Sequence, residues 1–85
     1  IKKEDLDNIK IGSGKVVRSN NKNILVYREN KDNYIFLKNK CTHLGCSLIW
    51  NDIDKVWESK CHGSIFDKYG KVIYGPAIND LEELF

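Results

Sequence analysis

The chain has 85 residues, with 14 Lys plus Arg against 12 Asp plus Glu. That length fits one domain with a modest core, and a net charge of +2 is too small an excess to favour nucleic acid or an anionic membrane as a partner. No apolar run reaches the ~20 residues of a membrane-spanning helix, and no signal peptide opens the chain.

Residues 1–14 carry Leu6, Ile9 and Ile11 and then Gly12-Ser13-Gly14, which reads as a short strand or irregular lead-in closed by a turn. Lys15-Val16-Val17-Arg18 is a strand candidate. The turn-formers Asn20 to Asn23 close a hairpin onto Ile24-Leu25-Val26-Tyr27-Arg28, a run dense in β-formers. Glu29 to Asn33 is a polar turn before a third strand, Tyr34 to Lys38. Farther on, Ser47 to Trp50 and Lys55 to Glu58 form the arms of a hairpin about the turn at Asn51 to Asp54. Ser64-Ile65-Phe66, a turn at Asp67 to Gly70, and a strand at Lys71 to Tyr74 follow. Gly75-Pro76-Ala77 breaks that strand, and Ile78 to Phe85 is either a strand or a turn of helix. Short β-rich runs at regular spacing, with no long amphipathic helix, predict an all-β domain. The aromatic residues Trp50, Trp57, Tyr34 and Phe36 are expected to pack in the core and across strands.

Two stretches carry chemistry. Cys41-Thr42-His43-Leu44-Gly45-Cys46 and Lys60-Cys61-His62-Gly63-Ser64 together hold all three cysteines and both histidines of the chain. An odd number of cysteines clustered with histidines suits a functional site better than a disulfide scaffold. Cys41 and His43 are two apart, so on extended chain their side chains lean to the same side. Gly45 lets the backbone turn sharply around a bulky group. Two loops with the same soft ligand types suggest one metal site assembled from both.

The order Cys, Thr, His, Leu, Gly, Cys resembles the first cluster-binding box of a Rieske iron–sulfur protein, and Cys61-His62-Gly63-Ser64 resembles the end of the second. The resemblance implies an all-β Rieske-type fold of stacked small antiparallel sheets, a single domain over 1–85. Its base would come from about 1–40 and 71–85 and its cluster-binding subdomain from about 41–70. The implied cofactor is a [2Fe-2S] cluster. In such a centre two thiolates hold one iron and two imidazoles the other, which raises the reduction potential well above that of an all-cysteine cluster. Carried onto this chain, Cys41 ligates the inner iron, and His43 and His62 ligate the outer one. Cys46 and Cys61 match a pair that forms a disulfide bracing the two loops. Ser64 matches a serine that hydrogen-bonds a cluster sulfide. Phe66 stands where high-potential members carry a tyrosine, so the expected potential is toward the low end of the family. Gly75-Pro76 resembles the proline loop that covers the cluster from a third side. Gly12 to Val17, Val26-Tyr27-Arg28, Trp50-Asn51-Asp52 and Trp57 look like the small Rieske module at the C-terminal end of bacterial FAD-dependent oxidoreductases. The start at Ile1 and the lack of any Met agree with such a piece of a longer protein.

The departure is Ser59-Lys60, where the family reads Cys-Pro. Ser59 therefore occupies the position of the missing ligand cysteine. A serine oxygen is harder and far less acidic than a thiol, so it is expected to hold iron more weakly and lower the potential. The implied function is one-electron transfer within or attached to an oxidoreductase. The domain would not be catalytic alone. A flavin domain of the same parent chain, or another carrier, would be its partner, in the cytoplasm. The alternative is a degenerate, cluster-free domain that acts as a structural or docking module. Zinc held by Cys41, His43, His62 and water is a further alternative; a Cys41 nucleophile lacks an orienting acid or oxyanion site.

Overall fold

A computed structural model describes residues 2–42, 45–61 and 63–84. The fold is two antiparallel sheets in sequence order. The first contains β1 (Gly14–Ser19), β2 (Lys22–Arg28) and β3 (Tyr34–Lys38). The second contains β4 (Leu48–Asn51), β5 (Val56–Ser59), β6 (Ile65–Phe66) and β7 (Val72–Tyr74). A five-residue helix, α1 (Lys3–Asp7), precedes them.

The turns follow from residue chemistry. Asn20 and Asn21 both sit at positive φ, 51° and 63°, between β1 and β2. Asparagine tolerates this left-handed geometry, and two such residues give the twist that hairpin strands need. Asn30 closes the next turn, its Oδ1 accepting the N–H groups of Asp32 and Asn33. Asn51 does the same for Ile53 and Asp54.

Strand β2 explains the uninterrupted apolar run Ile24-Leu25-Val26-Tyr27, all of it buried. Alternate residues face opposite sides of a sheet. Leu25 and Tyr27 join the main core with Leu37, Leu48, Trp57, Phe66 and Leu81. Ile24 and Val26 join a second cluster with Ile9 and Val17, against which Leu6 packs. The central strand is thus covered on both faces, one of them by the N-terminal segment. Arg28 ties that segment down: its guanidinium donates to the carbonyls of Ile9 and Lys31, 2.9 Å each, and lies over the Tyr34 ring.

The lead-in therefore differs from the expected strand or irregular segment: it contains helix α1. Lys2 at its N-cap makes no side-chain capping bond, and five residues are too few for a helix to stand on propensity alone. Packing of Leu6 and Ile9 onto the first sheet holds it. The last segment is neither a helix nor a full strand. It returns to the edge of β3 by a bridge between Leu37 and Glu83, with Lys38 N–H donating to Glu82 O and Leu84 N–H to Phe36 O. β7 pairs with β6, so the second sheet runs through residue 74.

Candidate metal-ligand site

The site grows from the end of β3, the start of β4 and the end of β5. Asn39 Oδ1 accepts the Leu48 N–H at 2.7 Å and fixes the two ends of the first loop. Within the loop Cys41 N–H donates to Cys46 O and Gly45 N–H donates to Cys41 O, 2.8 Å each. Gly45 stands at φ +75°, and a Cβ there would meet the Lys40 side chain. Cys41 is 3% exposed and belongs to the main core beside Leu48, Trp57 and Phe66. This places the Cys41 side chain at the inner side of the loop.

The second loop leaves β5 at Ser59. Burial alternates along that strand, so Ser59 and Trp57 share the inward face. Ser59 N–H donates to Ser64 O at 2.9 Å, and Lys60 N–H donates to Ser47 O at 3.1 Å, joining the second loop to the first. The disulfide Cys46–Cys61 joins them again. Cys41 lies outside this disulfide, as the expected pairing requires. Ser64 is fully buried, and its Oγ accepts the Ala77 N–H at 3.1 Å. The loop of Gly75, Pro76 and Ala77 is thereby fastened to the second box. Thr42 Oγ1 donates to Asn79 O and fastens the first box to the same segment. A cleft of about 540 Å3 opens beside Cys41 and Thr42, walled by Lys38, Lys40, Asp80 and Glu82.

Among the described residues two buried side-chain polar atoms have no hydrogen-bond partner: Ser59 Oγ and Trp57 Nε1. Leaving a hydroxyl buried and unpaired costs about 1–3 kcal/mol, so Ser59 is the site's conspicuous polar expense. The structure brings together Cys41, Cys46, Ser59, Cys61 and Ser64 and the Gly75-Pro76-Ala77 loop. Phe66 is fully buried and pairs with Trp57 across β5 and β6. His43 and His62 lie outside the described residues.

Sequence reasoning missed three supports. Asn39 closes the first loop. Asp52 gathers three donors onto one oxygen, from Ser13, Trp50 and Lys55, at 2.8–2.9 Å. These donors hold its carboxyl well below the usual carboxylate range, with the Lys55 hydrogen bond the largest cause. Glu29 accepts from the Tyr69 hydroxyl at 3.0 Å. Asn and Asp beside turns were a sequence signal for the first two; nothing local pairs Glu29 with Tyr69.

Two small antiparallel sheets, with a disulfide joining the loop between β3 and β4 to the loop after β5, define the domain. The profile of one family, the Rieske [2Fe-2S] domain, matches residues 2–84, and the chain belongs to that family. It is 37% identical over 78 residues to a Bacillus subtilis relative named as a Rieske 2Fe-2S iron-sulfur protein, YhfW. The match covers 92% of this chain and 15% of that protein. The cytochrome b6-f complex iron-sulfur subunit 2 of Trichormus variabilis is 48% identical over 44 residues, 52% of this chain and 25% of that one. The chain thus spans a quarter or less of the length of these relatives. Among solved structures, the plasma membrane Rieske protein PetC3 from Synechocystis superposes with a TM-score of 0.68 at 30% identity, over 80% of this chain and 70% of that one. A chain of a hyperthermophilic respiratory Complex III gives a TM-score of 0.72 at 29% identity, over 92% and 61%. No helix among the described residues is long and apolar enough to cross a membrane.

Proposed function

We propose that the chain is a one-electron transfer module that holds a [2Fe-2S] cluster through Cys41, His43, His62 and Ser59. The observation that carries this reading is the Ser59 hydroxyl: buried, unpaired and at the end of β5, where the family places a ligand cysteine. An oxygen left without a hydrogen bond is suited to a metal. With the buried Cys41 thiol and two histidines, the donor set fits the group, with one hard ligand in place of a soft one. A bound cluster supplies a one-electron couple, and imidazole ligation raises its potential. The protein's own residues set the conditions. The disulfide and the Lys60–Ser47 hydrogen bond hold the loops in register. Ser64, whose oxygen already accepts from Ala77, has its hydroxyl proton to donate toward a sulfide. Phe66 brings no hydroxyl, which favours a potential low in the Rieske range.

A flavin domain of a longer parent chain, or another electron carrier, is the partner in this reading, in the cytoplasm. Support for a longer parent chain comes from the Bacillus relative, in which a stretch of this size is 15% of the whole. A second reading has a footing in the same geometry. The disulfide and the loop hydrogen bonds organise the boxes by themselves, as a cluster-free docking domain would need.

Anaerobically purified protein, assayed for iron, acid-labile sulfide and zinc and by EPR after reduction, separates the two. Iron and sulfide in equal amounts with a rhombic EPR signal are expected. Their absence from the protein as made, together with their appearance in Ser59→Cys, would establish the cluster-free reading. If Ser59→Cys also stays colourless, Ser59 is not the ligand position.

A further inference from the structure

Four aromatic rings run in sequence from the core to the surface. Trp57 and Trp50 face each other across β5 and β4, with ring centroids 4.8 Å apart. Trp50 lies 5.5 Å from Tyr27 on β2, and Tyr27 lies 6.3 Å from Tyr69 in the turn before β7. Trp57 is fully buried on the same face of β5 as Ser59, two residues before it. Tyr69 is 43% exposed. Core packing brings Trp57, Trp50 and Tyr27 together; Tyr69 extends the series to the surface and is held there by its hydrogen bond to Glu29. We propose that Trp57, Trp50, Tyr27 and Tyr69 form a conduit that carries one-electron oxidising equivalents from the core beside the ligand loops to the surface, where Glu29 takes up the proton released by Tyr69.

The local chemistry gives the conduit a direction. Trp50 Nε1 donates at 2.9 Å to the Asp52 carboxylate, whose negative charge stabilises positive charge on that ring. Asp52 is itself held far below the usual carboxylate range by its three donors, so it stays an anion and does not take the proton. At the far end the Tyr69 hydroxyl donates to Glu29 Oε1 at 3.0 Å. That bond pushes the phenol above its ordinary range, so at rest the proton remains on the oxygen. The Lys68 ammonium sits over both the Tyr27 and Tyr69 rings, at 5.7 and 5.3 Å. It penalises a radical cation on either ring, so Tyr27 bridges the transfer without holding the charge, and oxidation of Tyr69 has to expel its proton, which Glu29 is in place to receive.

The steps balance. An external one-electron oxidant of the carbonate-radical class removes an electron from Trp50, the partly exposed tryptophan, and is reduced to carbonate; the hole is shared with Trp57 4.8 Å away. Tyr69 returns one electron through Tyr27 to the tryptophan, and its O–H bond breaks as the proton moves to Glu29. A neutral tyrosyl radical and a protonated carboxyl remain. A small thiol at the surface then gives a hydrogen atom to the tyrosyl oxygen, forming a thiyl radical, and Glu29 returns its proton to water. None of these steps passes through iron, so the conduit stands or falls independently of cluster content.

The test is pulse radiolysis of the full chain with azidyl radicals, which oxidise tryptophan in preference to tyrosine. Tryptophanyl absorbance is expected to decay, and tyrosyl absorbance to grow, at one rate that does not change with protein concentration. Tyr69→Phe, which retains the half-exposed ring, abolishes the growth, and Tyr74→Phe leaves it intact. Glu29→Gln slows the growth without changing the initial tryptophanyl yield. Freeze-quenched EPR of the unsubstituted protein shows a hydrogen-bonded tyrosyl signal. Tyrosyl growth that survives in Tyr69→Phe, a rate proportional to protein concentration, or a frozen signal that is tryptophanyl alone would overturn the proposal.

Discussion

Ser59 shows how one side chain can be read in two thermodynamic directions. Its Oγ is buried without a partner, so in metal-free protein Ser59→Ala removes an unpaid desolvation and should raise stability by about 1 kcal/mol. Urea denaturation of apo protein measures this. In the proposed cluster-bearing protein the same substitution would remove a ligand, so iron content should fall; a variant that keeps its full iron would show that the hydroxyl never touched the metal. Legibility at this scale was uneven. Residue identity marked Ser59-Lys60 as the departure from the box that the chain resembles. Identity could not show that the hydroxyl lacks a partner, since that depends on every group packed around it. Nor could it show that Ser64 would receive the Ala77 N–H, a contact across thirteen positions of chain.

At the scale of elements, the strands were the most readable part. Tyr34–Lys38 is a strand with the bounds its composition suggests, and the Asn20-Asn21 turn follows from a residue type that tolerates positive φ. Helix α1 was not readable. Glu4 and Asp5 in its first turn and the spacing of Leu6 and Ile9 were weak signals, and the helix exists because the first sheet offers a face to cover. The two ligand loops are elements held by one covalent link. Cys46 and Cys61 close a loop of sequence separation 15, for which chain entropy gives about 3 kcal/mol. Mild reduction, or Cys46→Ala with Cys61→Ala, should lower stability by about that amount in a denaturation midpoint. It should also make the protein with metal bound lose iron faster, because the loops are then joined mainly by hydrogen bonds such as Lys60 to Ser47.

For the whole molecule the question is what holds one sheet against the other. Gly14 on β1 is in contact with both tryptophans: a Cβ there would come within 2.7 Å of Trp50 and 2.9 Å of Trp57. Gly14→Ala therefore forces rings in the core to move, and a loss of about 1–3 kcal/mol is expected in thermal unfolding. Asp52 is the polar counterpart. It links Ser13, just before β1, to the β4–β5 hairpin. Its folded carboxyl is held below the ordinary 3.8, so its contribution is present in full above that value and is lost as pH falls below it toward the depressed value. Asp52 is solvent-exposed, so screening keeps the effect small. Asp52→Asn should reduce the acid-side slope of stability against pH, and should leave the slope near neutrality unchanged. A flattened slope at neutral pH instead would assign the effect to another group.

The sequence by itself determined the all-β class and, through the order of residues in its two boxes, the family, whose resemblance implied the Cys46–Cys61 pairing. Each of these rests on short-range information: residue type, alternation along a strand, and the order of ligand types within a box. Only the tertiary structure decided the burial of the Ser59 hydroxyl, the two-sided burial of β2, the Asp52 link between sheets and the run of rings from Trp57 to Tyr69. Those features join residues tens of positions apart, and their energies come from desolvation and close contact. Both are properties of the packed chain, and no local stretch of residues contains them.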